Sequence, residues 1–471
     1  MSNSKKIAYN TIVQVISRVI TAAISLVIIG YLTRYLDVTG WGQYNLIVAY
    51  LGLFGVMVDF GFFLLQVRDV VNNPGKEGKI LGNILSLKLV LTVIVFTLAY
   101  LVALAVYDNP IITTGILIGS ISQASISLLH IPNSLFQARL QMHVVAVANI
   151  IARAAYGAVV IWAVFANLGL LHIVGLVSLI NLLTFIAMFW IANRMIKIRL
   201  GWDWPYLKKF ILEALPIGAT TVLAMIYFRV DTVMLGYLAN DYAVGIYSTP
   251  YKILDVILTI PVIFMSSVFP IMTQAIVQGR EHLQRIFAKA FDYSVMAAAP
   301  IVTGAFLLSG PIINILSGSG YAASIPVLKI LIWVTALSFL GAVFNYTMIA
   351  NGKQSLLVWP YLTATIFNVV TNSIFIPKYS YFGAAYTTIF TELIVIIWVG
   401  WIVYSQLKLT PSGSVWLKSI FSALVMGVGI WVTRDYNFFI VAALAVTTYA
   451  TLLFAFNIFP TGIARQLMNR R

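Results

Sequence analysis

Long apolar runs alternate along this chain with short polar interruptions. Most runs reach ~20 residues or more, the length a helix rising 1.5 Å per residue needs to cross a ~30 Å hydrocarbon layer. None shows the ~10-residue apolar and polar alternation of a membrane β-strand. The pattern predicts spans near 9–34, 44–66, 80–106, 110–136, 143–166, 169–193, 210–238, 243–269, 286–309, 323–350, 355–376, 382–405, 415–432 and 438–456. The fold class is therefore all-α and integral to a membrane, with about fourteen transmembrane helices. The first run follows "MSNSKK" and continues to about Tyr35 without a small-residue cleavage site, so it reads as a retained span and not a leader.

The polar interruptions set the orientation. An even number of spans puts both termini on one side. With the N-terminus in the cytoplasm, twenty cations fall on inner segments, among them Lys76, Lys79, Arg194, Lys197, Arg199, Lys208, Lys209, Arg465, Arg470 and Arg471. Only Arg34, Lys378 and Arg434 fall outside. That asymmetry follows the positive-inside rule and predicts a multi-pass protein of the cell (plasma or inner) membrane with both termini cytoplasmic. The longest hydrophilic connection, about Arg194 to Lys209, can hold an amphipathic turn and no aqueous domain.

Composition agrees. Of 471 residues, 61% are hydrophobic and 9% charged, with a mean hydropathy of +0.96, which excludes a water-soluble globule of this length. The net charge of +15 then reflects topology and adhesion to anionic inner-leaflet lipid, and is no argument for nucleic acid. There is no cysteine, so disulfides and thiolate metal sites are excluded. His130, His143, His172 and His282 are too scattered for a ligand set. No metal and no cofactor are expected.

Two short matches recur at similar separations. Gly42-Gln43-Tyr44 opens the second span and Gly245-Ile246-Tyr247 the eighth, 203 positions later. "NSLFQARLQ" (Asn133 to Gln141) resembles "NYTMIANGK" (Asn345 to Lys353), 212 positions on. Gly-x-Tyr is also ordinary punctuation between helices. Taken together, the matches relate spans 1–6 to spans 7–12 in one orientation. The expected organisation is two pseudo-symmetric six-helix bundles, 1–200 and 201–408, with 409–471 adding a C-terminal helix pair and a basic tail. Parallel repeats of this kind bind substrate between their halves.

Six cations remain within spans: Arg18, Lys88, Arg153, Arg229, Lys252 and Lys329. The acids in or at the edge of spans are Asp59, Glu213, Asp231, Asp255, Asp292 and Glu392. Each charge at the bilayer centre costs ~2.5–3.5 kcal/mol on the insertion scale, so these require partners or a wet cavity. Lys88 and Lys329 lie near enough to span ends to reach headgroups with long stems. Lys252 and Asp255, three apart, can pair on one helix face, structurally or functionally. Glu213 and Asp292, near cytoplasmic ends, are expected to be solvated. Arg18, Arg153 and Arg229 sit ~14 Å along a helix axis from the nearer end, too deep for full escape to water. Arg229 and Asp231 point ~200° apart and cannot pair, so one is expected to face a cavity while the other bonds a neighbouring helix. A guanidinium in a partly dry cavity suits bidentate capture of phosphate oxygens, which implies an anionic substrate. Prolines in or beside spans, and small-residue stretches such as "SVMAAAP", suit bundles that rock.

The order of motifs resembles the polysaccharide-biosynthesis membrane proteins, the Wzx-like oligosaccharide-lipid flippases. It starts with "KIAYNTIVQVISRVITAAISLVIIGYLTRYLDVTGWGQYNLIVAYLGLFGVMVDFGF", with its Gly-x-Tyr and then Asp59-Phe60-Gly61. "RVDTVMLGYL" and "VGIYSTPYKI" follow, placing Arg229, Asp231, Gly245, Tyr247 and Lys252 on an Arg-x-Asp, Gly-x-Tyr and basic signature. "GSGYAASIPVLKIL" and "NVVTNSIFIPKYSYFGAAYTTIFTE" complete it.

The resemblance implies the multidrug, oligosaccharidyl-lipid and polysaccharide (MOP) exporter superfamily, whose two six-helix lobes form a V and alternate between inward-open and outward-open states. Relatives move a glycan on a polyprenyl phosphate or pyrophosphate from the inner to the outer leaflet. Spans 13 and 14 fit the fourteen-helix flippase branch and would supply a groove for the lipid tail. The cationic cavity binding the headgroup is then assigned to Arg229, which the motif carries over, and on their depth alone to Arg18, Arg153, Lys88 and Lys252; the coupling or cavity acids are Asp59, Asp231 and Asp255, unless consumption of the glycan outside supplies the energy. Implied partners are the lipid-linked oligosaccharide, the membrane, a coupling ion (H+ or Na+), and a glycan polymerase or glycosyltransferases. The alternative within the superfamily is a cation-coupled multidrug or small-molecule antiporter, which would favour an acidic, aromatic lumen. A membrane glycosyltransferase is disfavoured, because Asp-x-Asp, His-Glu-x-x-His, Gly-x-Ser-x-Gly and Walker motifs are missing. A scaffold subunit would hold its buried arginines in structural pairs.

Overall fold

A computed structural model describes residues 3–456 and residue 458. Among these residues the regular structure is helical. Arg465, Arg470 and Arg471 of the expected basic tail lie outside the described residues. The chain forms α1 (Asn3–Asp59), α2 (Phe62–Asn72), α3 (Glu77–Val106), α4 (Pro110–Ala138), α5 (Met142–Phe165), α6 (Leu170–Met195), α7 (Trp204–Leu238), α8 (Asp241–Ile257), α9 (Thr259–Gln278), α10 (Arg280–Leu307), α11 (Ser309–Ser317), α12 (Ser324–Ala350), α13 (Val358–Leu407), α14 (Ser414–Thr433) and α15 (Phe438–Ala455).

Among the described residues twelve continuous helical runs are long and apolar enough to cross a membrane. Two of the longest bend at residues with positive φ: Asp37 (φ 58, ψ −174) in α1 and Ser380 (φ 51, ψ −132) in α13, just past Pro377. Asp37 secures its bend by accepting a hydrogen bond from the Gly40 N–H at 2.8 Å. Both bends fall between spans that the hydrophobic pattern separates, 9–34 from 44–66 and 355–376 from 382–405. Several helices start where the sequence supplies a cap and a proline. Asn109 accepts from the Ile111 N–H ahead of α4, and Asp203 from the Tyr206 N–H ahead of α7, each with proline at the first or second helical position.

The described residues divide into two compact units, 3–248 with 316–320 and 368–384, and 249–315 with 321–367 and 385–456. In the first, a core of Phe62, Leu81, Ile84, Ile131, Phe136 and Phe210 joins α2, α3, α4 and α7. In the second, α14 and α15 pack through Met426, Ile430, Val441 and Leu453 onto Leu308 at the end of α10, and the Tyr449 hydroxyl donates to the Met296 carbonyl at 2.8 Å. Outer faces carry exposed aliphatic residues such as Val93, Ile94, Leu98 and Leu101 of α3, as lipid contact requires.

One expectation about charge is corrected here. Asp292 is buried, not solvated. The segment after α13 folds back along α10, where the Gln284 amide donates to the Thr410 carbonyl at 2.6 Å. This brings the Ser412 hydroxyl 2.6 Å from both Asp292 carboxylate oxygens. Glu213 does stay in an exposed network, 2.5 Å from Arg68.

Candidate functional site

The second crossing ends at Asp59-Phe60-Gly61, where the backbone turns to φ 38 at Phe60 and φ 71 at Gly61. Only glycine takes such an angle without strain, and a Cβ there would also press on Ile217 of α7. The break interrupts the helical ladder and leaves the Asp59 carboxylate among α1, α3 and α4.

Lys88 of α3 is fully buried and its Nζ lies 2.5 Å from Asp59 Oδ1, while the Asp59 side chain keeps 19% exposure. Lys88 also donates to the Ser127 carbonyl at 3.0 Å. The Ser127 hydroxyl donates to Asp59 Oδ2 at 3.2 Å, and His130 Nδ1 lies 3.0 Å from Asp59 Oδ1. Ser127 and His130 are three apart on α4 and so share a face. The His130 ring packs 5.3 Å from that of Phe63 and is one-third exposed. A carboxylate shared between an ammonium, a hydroxyl and an imidazole is charge-compensated on its buried side and reachable on its imidazole side.

Lys88 thus departs from its expected role. Its side chain is fully buried and paired with Asp59, as burial without a counter-ion would be costly. Lys252 sits 4.0 Å from Asp255, so the i,i+3 pair does form. Asp231 of α7 is buried and accepts from the Tyr247 hydroxyl at 3.0 Å and from the Asn372 amide at 2.6 Å. Asn372 donates in turn to Asn368 at 3.0 Å. Asp231 therefore bonds neighbouring helices, and Arg229 is half-buried.

Arg18 is exposed on α1 and Arg153 half-buried on α5. The two helices pack together, and beside Arg18 the Ser17 hydroxyl donates to the Ala146 carbonyl at 3.1 Å. Arg153 lies 5.6 Å over the ring of Tyr156, whose hydroxyl bonds that of Tyr44 at 2.9 Å. Sequence reasoning missed Ser127, His130, Asn368 and Asn372. The available signal was polar residues three or four apart inside apolar runs, "SLLH" and "NVVTN".

Residues 7–276 match the family described as polysaccharide biosynthesis protein, and residues 216–374 match the MatE family. Over 350 residues the chain is 21% identical to the capsular polysaccharide biosynthesis protein CapF of Staphylococcus aureus, covering 72% of this chain and 85% of that protein. Its fold is similar to that of the lipid II flippase MurJ in an inward closed conformation, with a TM-score of 0.78 at 16% identity over 95% of this chain and 98% of that one. An inward-facing multidrug resistance MATE family transporter of the MOP superfamily aligns with a TM-score of 0.63 at 11% identity, over 84% and 99%.

Proposed function

Since the chain belongs to the polysaccharide biosynthesis protein family, we propose that it is a flippase carrying a polyprenyl-(pyro)phosphate-linked oligosaccharide from the inner to the outer leaflet by alternating access. The observation that carries this reading is the pair of arginines on packed helices. Among the described residues neither Arg18 nor Arg153 forms an ion pair with a carboxylate, although both lie inside a span. An incoming anion would balance their charge, and a phosphate matches the guanidinium fork. Arg229 and Lys252 complete the cationic set in this reading. Lys88 leaves it, since it is fully buried against Asp59, whereas Lys252 stays partly exposed beside Asp255.

The headgroup and sugars would occupy a wet cavity between two six-helix lobes, 1–200 and 201–408, with the prenyl chain in lipid beside the spans of 409–471. Binding shifts the balance of inward and outward states only through a difference in affinity. Exchange of H+ or Na+ at Asp59 or Asp231 would supply that difference. Asp255, tied to Lys252, would couple the ion to the headgroup.

Single replacements of Arg18, Arg153 and Arg229 by Gln test the reading. Each variant should reach the membrane in normal amount yet fail to restore surface glycan in cells lacking the parent protein. Normal glycan from all three overturns it. The MatE match favours a second reading, a cation-coupled antiporter. For that, the same variants should retain or gain efflux of a cationic dye.

A further inference from the structure

The segment joining α6 to α7 is clamped against α3. A Cβ on Gly82 would collide with the Arg199 carbonyl, and one on Gly78 with that of Lys197, so the segment lies directly on the helix backbone. Asn193 accepts from the Ile198 N–H at 2.8 Å and Ser86 from the Gly201 N–H at 3.2 Å. Asn83 accepts from the Asp203 N–H at 2.7 Å. Ile198 is buried, while Lys197 and Arg199 on either side of it are exposed.

Lys79, Asn83, Lys197, Arg199, Trp202 and Asp203 line a cavity of ≈ 550 Å³ at this place, a size that admits a small polar ligand. Its one acid, Asp203, is matched by Lys79 at 2.8 Å. Among the described residues Lys197 and Arg199 form no ion pair, which leaves two uncompensated cations in a preformed hollow. The hollow sits at the ends of three spans, α3, α6 and α7. Leu200 and Trp202 of its lining are exposed, as are Trp190 near the end of α6 and Trp204 at the start of α7, and the Arg194 guanidinium stacks 3.7 Å from the Trp190 ring centroid. Indoles beside cations at span ends are the furniture of a membrane interface.

We infer that this hollow is a binding site for the phosphate headgroup of an anionic membrane phospholipid. Lys197 and Arg199 grip the phosphate, and Trp202 and Leu200 rest among the acyl chains. The occupant is a bilayer lipid, not the transported substrate, so the site does not depend on the flippase reading. Being fixed to both α3 and α7, a bound lipid would hold that corner of the first unit together.

The test is native mass spectrometry of the full chain in neutral detergent, titrated with phosphatidylglycerol. Phosphatidylcholine is the zwitterionic control and inorganic phosphate the free-anion control. Removing a cation near an anionic lipid should weaken binding roughly fivefold, and the double variant K197Q/R199Q about 30-fold. K208Q/K209Q removes the same charge from the same end of α7 outside the cavity and should bind like the parent. N83A keeps every cation but loosens the clamp, and should also bind more weakly. Three results would overturn the inference: equal binding of phosphatidylcholine, equal binding by K197Q/R199Q, or competition by inorganic phosphate that abolishes lipid capture. Thermal unfolding of each variant separates lost binding from lost folding.

Discussion

Gly42 and Gly245 press the backbones of α1 and α8 together: a Cβ on Gly42 would stand 2.9 Å from the Gly245 nitrogen, and one on Gly245 would meet the Val38 carbonyl. The two Gly-x-Tyr motifs that suggested an internal repeat are therefore in contact. Their tyrosines then diverge, Tyr44 to Tyr156 and Tyr247 to Asp231. A methyl group against backbone cannot be absorbed by a rotamer change. Gly42→Ala should destabilise the protein by about 1–3 kcal/mol, read as a lower midpoint in detergent thermal unfolding. Gly304→Ala, in open space on α10, should be neutral or slightly stabilising.

The Lys88 and Asp59 pair predicts a non-additive response. Lys88→Met leaves a carboxylate without its ammonium, and Asp59→Asn leaves a fully buried ammonium without a counter-ion. Loss of one member of a buried pair costs about 3–5 kcal/mol. The double variant K88M/D59N should be more stable than Asp59→Asn alone. Thermal unfolding of the four proteins measures the coupling, and additivity would show that the pair does not hold α1 to α3.

Acid should loosen the start of α7. A hydrogen bond from the Lys79 ammonium, with another from the Tyr206 N–H, holds the Asp203 carboxyl below the usual carboxylate range. A carboxyl depressed in the folded state stabilises it above the ordinary value of ~3.9, and that contribution is lost as pH falls through the folded value. Exchange protection of the Tyr206 amide should stay flat from neutral pH down to that range and then drop. Asp203→Asn keeps a capping side chain and should abolish the acid step.

The helical spans were legible because lipid imposes a minimum apolar length on every crossing, and even the bends at Asp37 and Ser380 fall between predicted spans. The deep charges were legible as a set, but their partners were not. Lys88 and Asp59 are 29 positions apart, and Asp231 and Asn372 are 141 apart, so only packing joins them. Asp292 looked solvated because its burial depends on Ser412, across a returning segment that hydropathy does not register. His130 looked isolated because a search for metal ligands asks for several histidines, whereas this ring needs one aspartate.

The clamp between α6 and α7 has a practical consequence for anyone cutting the polypeptide. Beyond the segment itself, the Tyr206 hydroxyl bonds Asp69 at 3.0 Å and the Phe210 ring packs 5.2 Å from that of Phe62. Attachment there is lateral as well as sequential. A protease site inserted between Met195 and Trp204 should yield two fragments that still migrate as one species on size exclusion, which makes this junction the place to split the chain for segmental labelling.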